Sequence, residues 1–213
     1  MVFACKLNTD VNQPVAIEIV LPDSGRVEVS DTFRPSGRVL NALGDSVQAP
    51  LFWVSFDSTL QVLDSTTGVS LGIAPGSARL QAHTTGKLFS NPQTVSVLPH
   101  LDSLLAAGPT RDTVSVTTDS LSDSLVVQTY STGGVTSSRP VIFSATVFPD
   151  SGPVVTLLPR DTVLTDFSGI AVTQVRLHAG PVPDSVVVTA TMKHLDGTAV
   201  PGSPVTFVVE FRP

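Results

Sequence analysis

One cysteine, Cys5, stands in a chain of 213 residues. A disulfide pinning two sheets together within the chain is therefore excluded, and packing must hold it instead. Charge is also scarce: Asp, Glu, Lys and Arg make up 14% of residues, the net charge is −6, and no basic cluster occurs. Such a chain repels nucleic acid rather than recruiting it. No apolar run approaches the roughly 18–20 residues of a membrane helix. No amphipathic pattern extends beyond two helical turns. Aromatics amount to 6%, with one Trp and one Tyr. A sugar-binding surface displays exposed rings. Trp53 and Tyr130, the two with polar handles, fit better as core or sheet residues. Phe3, Phe56, Phe89 and Phe148 are the rings whose exposure would matter.

What is there instead is a hydrophobic content of 41% with 15 Gly and 17 Pro, the make-up of short strands and turns that can bury a core. The clearest stretch is 52–82. Trp53 lies in a short apolar run broken by Asp57-Ser58, and 60–63 follows as a second strand. Asp64-Ser65-Thr66-Thr67-Gly68 turns the chain into 69–73. Pro75-Gly76 then reverses it into the strictly alternating 78–82. Four strands and three turns in about thirty residues are the pattern of an all-β sandwich. Upstream, 16–21 and 26–29 read as strands, while 33–40 carries Pro35-Ser36-Gly37 and reads as an edge, bulge or bend. Residues 93–98 close the first domain, and Pro99-His100 marks its end.

The run from Trp53-Val54-Ser55 to Thr67-Gly68 and on through Pro75-Gly76 into 78–82 resembles the bacterial Ig-like domain of group 2 over about residues 15–99. In that resemblance Trp53 is the bulky anchor between sheets, and Gly76 supplies a backbone geometry costly for other residues. Past the boundary, 101–107 reads equally as strand or helical turn. Strands follow at 113–117, 124–130, 140–147, 154–158, 162–164, 184–193 and 204–211. The run Thr165-Asp166-x-x-Gly169-x-Ala171, with Val141-Ile142-Phe143, Val188-Thr189-Ala190 and Val205-Thr206-Phe207, resembles the group 1 domain of invasin and intimin stalks over about 108–212. There Asp166 and Gly169 form the turn entering a core strand. The resemblance implies a fold and names no ligand.

The expected architecture is thus all-β: two tandem Ig-like antiparallel β-sandwiches, at 15–99 and 100–213, behind a tether at 1–14. With so short a joint between them, a semi-rigid rod is expected. Residues 2–5 look like the tail of a bacterial lipoprotein signal, with Ala4 before Cys5, although Phe3 departs from the pattern. Lipidation of Cys5 would make it the only membrane attachment. The polar linker 6–14, extended, reaches at most roughly 30 Å.

Candidates for chemistry are few. Of 18 acids 15 are Asp, mostly followed by Ser or Thr, as in Asp64-Ser65, Asp102-Ser103 and Asp184-Ser185. Calcium would need several oxygens converging on one site, and no calcium-loop spacing is present. Side chains bonding their own turns explain the pairs. His83, His100, His178 and His194 show no metal-ligand spacing; His83, His100 and His194 are expected at solvated strand ends and at the joint. Neither a nucleophile elbow nor a glycine-rich phosphate loop occurs. The only glutamates, Glu18, Glu28 and Glu210, do not pair for glycoside hydrolysis. No enzyme, metal or cofactor is expected. The reading is a cell-surface or periplasm-facing spacer or adhesion module, anchored as a lipoprotein, with a surface protein or glycan as partner. One alternative is a subunit of a larger extracellular or phage assembly, self-associating through edge strands at 33–40 or 204–211. The other is a carbohydrate-binding accessory module.

Overall fold

The computed structural model describes residues 10–116, 120–133, 136–149 and 154–212; Cys5, its lipobox-like neighbours and Phe3 lie outside them. The chain divides into two units, 1–98 and 99–213. Apart from one 3-10 turn, Pro22–Ser24, every regular element among the described residues is a strand.

The N-terminal unit runs through β1 (Ala16–Val20), β2 (Arg26–Glu28), β3 (Thr32–Phe33), β4 (Ser36–Leu40) and β5 (Ser46–Val47). It continues with β6 (Phe52–Ser55), β7 (Leu60–Val62), β8 (Ser70–Gly72), β9 (Gly76–His83) and β10 (Gln93–Leu98). They pair in the orders β1-β4-β5, β2-β10-β9-β6 and β3-β8-β7. β2 lies parallel to β10, and the other pairings are antiparallel. Alternation decides the faces. Along β9, Ala78, Leu80 and Ala82 are buried while Arg79 points to solvent. Trp53 is 5% exposed and sits in register opposite Ala82. A methyl beside an indole is the large-against-small pairing that fills a core without voids. Val27, Phe33, Leu60, Val95 and Val97 complete the cluster.

The C-terminal unit holds β11 (Ser103–Ala106), β12 (Arg111–Ser115), β13 (Leu125–Tyr130), β14 (Pro140–Phe148) and β15 (Val155–Leu158). β16 (Thr162–Leu164), β17 (Ile170–Leu177), β18 (Ser185–Thr191) and β19 (Val205–Arg212) follow. Two sheets result, β11-β13-β17-β15 and β12-β19-β18-β14-β16. Again the unit's final strand is met in parallel by an early one, β12. Their inner faces supply one core, with Phe143 and Phe207 among its largest fully buried side chains. β18 shows why this sequence is a strand: β-branched residues fill it, and Val186, Val188 and Ala190 alternate inward. Both units are Ig-like antiparallel β-sandwiches.

The choice left open at 101–107 falls to a strand, β11, because Leu104 is needed inside the second core, where it and Leu101, just before the strand, are fully buried. The segment 33–40 breaks at Arg34 and Pro35 into the end of β3, an edge strand beside β8, and β4, which pairs with β1 along its length and with β5 at Val39 and Leu40. The segment 204–211 lies in β19, flanked by both β18 and β12. β19 is therefore not a sheet edge, which corrects that expectation, whereas Phe33 does lie at one, in β3. Pro35, read as the sign of an edge, bulge or bend, falls in the break between β3 and β4.

Candidate functional site

The turn at 64–68 connects the sequence's turn chemistry to the first core. Asp64 Oδ1 accepts hydrogen bonds from the Thr66 amide at 2.8 Å and its hydroxyl at 2.7 Å, and Oδ2 accepts the Thr67 hydroxyl at 2.7 Å. These bonds, Thr67 first, hold the Asp64 carboxyl far below the usual carboxylate range. The fixed turn presents the Ser65 carbonyl to β6, where it accepts the Trp53 amide at 2.8 Å. Gly76 opens β9 with φ +149°.

In the second unit Asp166 and Gly169 form the turn between β16 and β17. Asp166 Oδ1 accepts the amides of Ser168 at 2.8 Å and Ile170 at 2.9 Å, and the Gly169 amide returns to the Asp166 carbonyl at 3.0 Å. Gly169 has φ +76°. A Cβ there would press into the Thr136 hydroxyl and come within 2.8 Å of the Thr129 carbonyl. Thr129 donates its own hydroxyl to the Gly169 carbonyl at 3.1 Å and bonds the Thr136 hydroxyl. Thr165 donates to the Thr136 carbonyl and accepts the Arg139 amide. Buried threonines thus staple three loops around this glycine. The sequence gives no cue to them, because a threonine that staples loops looks like any strand threonine.

The aspartates serve the chain itself. Asp102 accepts the amide and hydroxyl of Thr132, Asp196 those of Thr198, and in each case the hydroxyl is the main cause of a lowered carboxyl pKa. The bonded partner is commonly two residues on, so the adjacent Ser or Thr noticed in the sequence is not the reason. Asp57 differs: it grips Arg79 across the sheet through both carboxylate oxygens at 3.0 Å, which lowers its pKa. Glu18 pairs with Arg38, and Glu210 with Arg212 and, at 3.9 Å, Arg111. Glu28 is buried on β2.

The histidines depart from expectation. His83, His100 and His194 are half-buried rather than solvated. His100 and His194, remote in sequence, stack within the C-terminal unit at 4.7 Å between centroids. His83 lies between two rings, Phe52 at 5.7 Å and Phe89 at 5.5 Å. His178 is exposed and bonds the Thr156 hydroxyl at 2.9 Å. Phe56, Phe89 and Phe148 are all about half exposed, and Tyr130 projects from its sheet toward solvent, its hydroxyl donating to Gln128. Phe167, passed over in the sequence, is the most exposed of the large apolar residues among those described, at the tip of the Asp166 turn.

No protein-family model matches the chain, and no curated protein matches it. Among solved structures it is similar to the D00-D0 domain of intimin, at 18% identity over 92% of this chain and 100% of that one, with a TM-score of 0.34. It is also similar to domains 4 and 5 of the S-layer protein SbsC, at 12% identity over 94% and 100%, TM-score 0.35. Fibronectin(III)-like modules of Clostridium thermocellum CbhA give 13% over 92% and 94%, TM-score 0.43. At these identities and scores the likeness carries no conclusion about ligand or activity. The fold assignment rests on the strand order.

Proposed function

We propose that this chain is a non-enzymatic spacer or adhesion module of a bacterial cell envelope, held to the membrane through a lipid on Cys5. The supporting observation is the use made of its carboxylates. Asp57, Asp64, Asp102, Asp166, Asp196, Glu18 and Glu210 are engaged by turn amides, hydroxyls or arginines of the same unit, and the cores between the sheets are apolar. Acids used in this way stabilise turns and strand ends rather than activate a substrate. Loops at the ends of such sandwiches are where contacts with other molecules are made.

The test is expression with the natural upstream sequence in a bacterial host, followed by fractionation and mass analysis of the mature N-terminal peptide. The expected result is protein in the envelope fraction, beginning at Cys5 and carrying diacylglycerol. A cytosolic protein whose N-terminal peptide is unmodified overturns the proposal. An envelope protein with an unmodified cysteine keeps the location and removes the anchor.

A further inference from the structure

We propose that the outer face of the β6–β9 strand pair binds a neutral glycan chain. Five aromatic residues are described in the N-terminal unit. Two, Phe33 and Trp53, belong to the core. The other three, Phe52, Phe56 and Phe89, gather on this one face. Phe52 stands in register with His83 and Val54 with Gln81, while the Phe56 amide bonds the Arg79 carbonyl at 3.0 Å. Three rows therefore lie side by side across the pair, two of them setting an aromatic ring against a flat polar side chain. Phe52 and Phe56 are four residues apart, about 13 Å along a strand. That strip is long enough to meet successive rings of a polymer.

Cross-strand ring pairs also stabilise sheets, and Phe52 with His83 would do so alone. Phe89 goes beyond that role. It comes from the turn after β9 and is folded back beside His83, yet it remains 55% exposed. The turn is pinned: the Gln81 side-chain Nε2 donates to the Ser90 carbonyl at 2.8 Å, the Ala82 backbone amide to the Ser90 hydroxyl at 3.0 Å, and the Thr84 backbone amide to the Leu88 carbonyl at 2.9 Å. A ring held out to solvent by a pinned backbone is preorganised, so binding there loses little conformational freedom.

Charge selects the occupant. Arg79, the one cation carried by these two strands, is bound by both carboxylate oxygens of Asp57, with its guanidinium carbon 5.7 Å from the Phe56 ring centroid. The pair cancels itself and leaves an aromatic, hydrogen-bonding strip without net strand charge. A sugar ring complements it, with C–H groups on its faces to pack on aromatic rings and hydroxyls at its edge for planar side chains. A nucleic acid or other polyanion does not complement it.

The inference does not rest on the envelope location, since the isolated chain would bind equally well. It is tested by native electrophoresis of the full chain through gels containing, one at a time, mixed-linkage β-glucan, xyloglucan, galactomannan, glycogen and, as a polyanion, hyaluronan. The expected result is retardation in at least one neutral gel, weakened at least tenfold by Phe89→Ala and by Phe52→Ala and unchanged by Phe167→Ala in the other unit. Trp53 fluorescence on melting reports whether Phe52→Ala and Phe89→Ala, in its own unit, remain folded; if Phe52→Ala does not, Phe89→Ala decides. Absence of retardation in all four neutral gels, retardation by hyaluronan alone, or retardation indifferent to Phe89→Ala overturns the proposal.

Discussion

Replacing Gly169 with alanine separates two costs that usually arrive together. The backbone there has φ +76°, a left-handed conformation that costs an alanine roughly 1–2 kcal/mol. The added methyl would also press into the Thr136 hydroxyl and lie 2.7 Å from the Thr129 hydroxyl, inside a buried network that cannot retreat into solvent. Overpacking of that kind costs roughly 1–3 kcal/mol. The sum, about 2–5 kcal/mol, is a large part of the roughly 5–15 kcal/mol that stabilises a domain. Gly197 in the same unit supplies the control: its φ is +87°, and a Cβ there would meet nothing within 4 Å. Gly197→Ala should therefore show the backbone cost alone. The assay is urea unfolding of the full chain followed through the ring signals of Tyr130, the only tyrosine, which lies in the C-terminal unit. Gly169→Ala should lower that unit's stability by about 1–3 kcal/mol more than Gly197→Ala does. Equal losses in the two variants would refute the packing argument, and a loss below about 1 kcal/mol in Gly169→Ala would refute the backbone argument as well.

Three further outcomes are expected. Trp53→Ala should destabilise the N-terminal unit by about 3–5 kcal/mol, read from the urea midpoint by circular dichroism, and a change below about 1 kcal/mol would mean the indole does not anchor the core. Residues 99–213 expressed alone should unfold cooperatively, whereas 108–213 should not, because it lacks the fully buried Leu101 and Leu104. Cooperative melting of the shorter piece would show that β11 is dispensable. The carboxyls of Asp57, Asp64, Asp102 and Asp196 all titrate lower in the folded chain than in the unfolded one. Their stabilisation is therefore complete above the ordinary Asp pKa of about 3.9 and is lost as pH falls through the lower folded values. The urea midpoint should stay level from pH 7 to 5 and decline below 4, less steeply in Asp64→Asn. An acid-insensitive midpoint would contradict the assignment.

Local pattern made most of the strands legible. The alternation at 78–82 predicts which side chains of β9 point inward, and the Asp166-x-x-Gly169 spacing predicts a turn whose bonds are those found. Partners across a sheet are another matter. Alternation assigns a residue to a face, while its neighbours on that face come from strands paired through the register of the whole unit. For that reason β19 was misjudged as an edge, and the Phe52–His83–Phe89 and His100–His194 stacks were invisible: each joins residues that no short-range rule connects. Tyr130, read as a core or sheet residue, is a sheet residue on the solvent face. A tyrosine at the end of a strand can lie on either face, and here the buried register falls on Leu125, Val127 and Thr129.

The missing disulfide and the abundance of aspartate belong to one physical solution. Without a covalent tie, each sandwich depends on its turns to fix the strand register, because a slip of one residue would turn every inward side chain outward. An aspartate that accepts two or three bonds from its own turn fixes those residues locally and at once. The Asp64 turn carries that order directly to the core through the Ser65 carbonyl on Trp53. The Asp166 turn does the same through Gly169 and Thr129. Most of the carboxylates that gave the sequence its hint of metal or acid–base chemistry are thereby used in register control. On the face of β6 and β9, cross-strand pairing accounts for Phe52 with His83. It does not account for Phe89, which a pinned turn holds 55% exposed, and the proposed glycan binding would supply the reason.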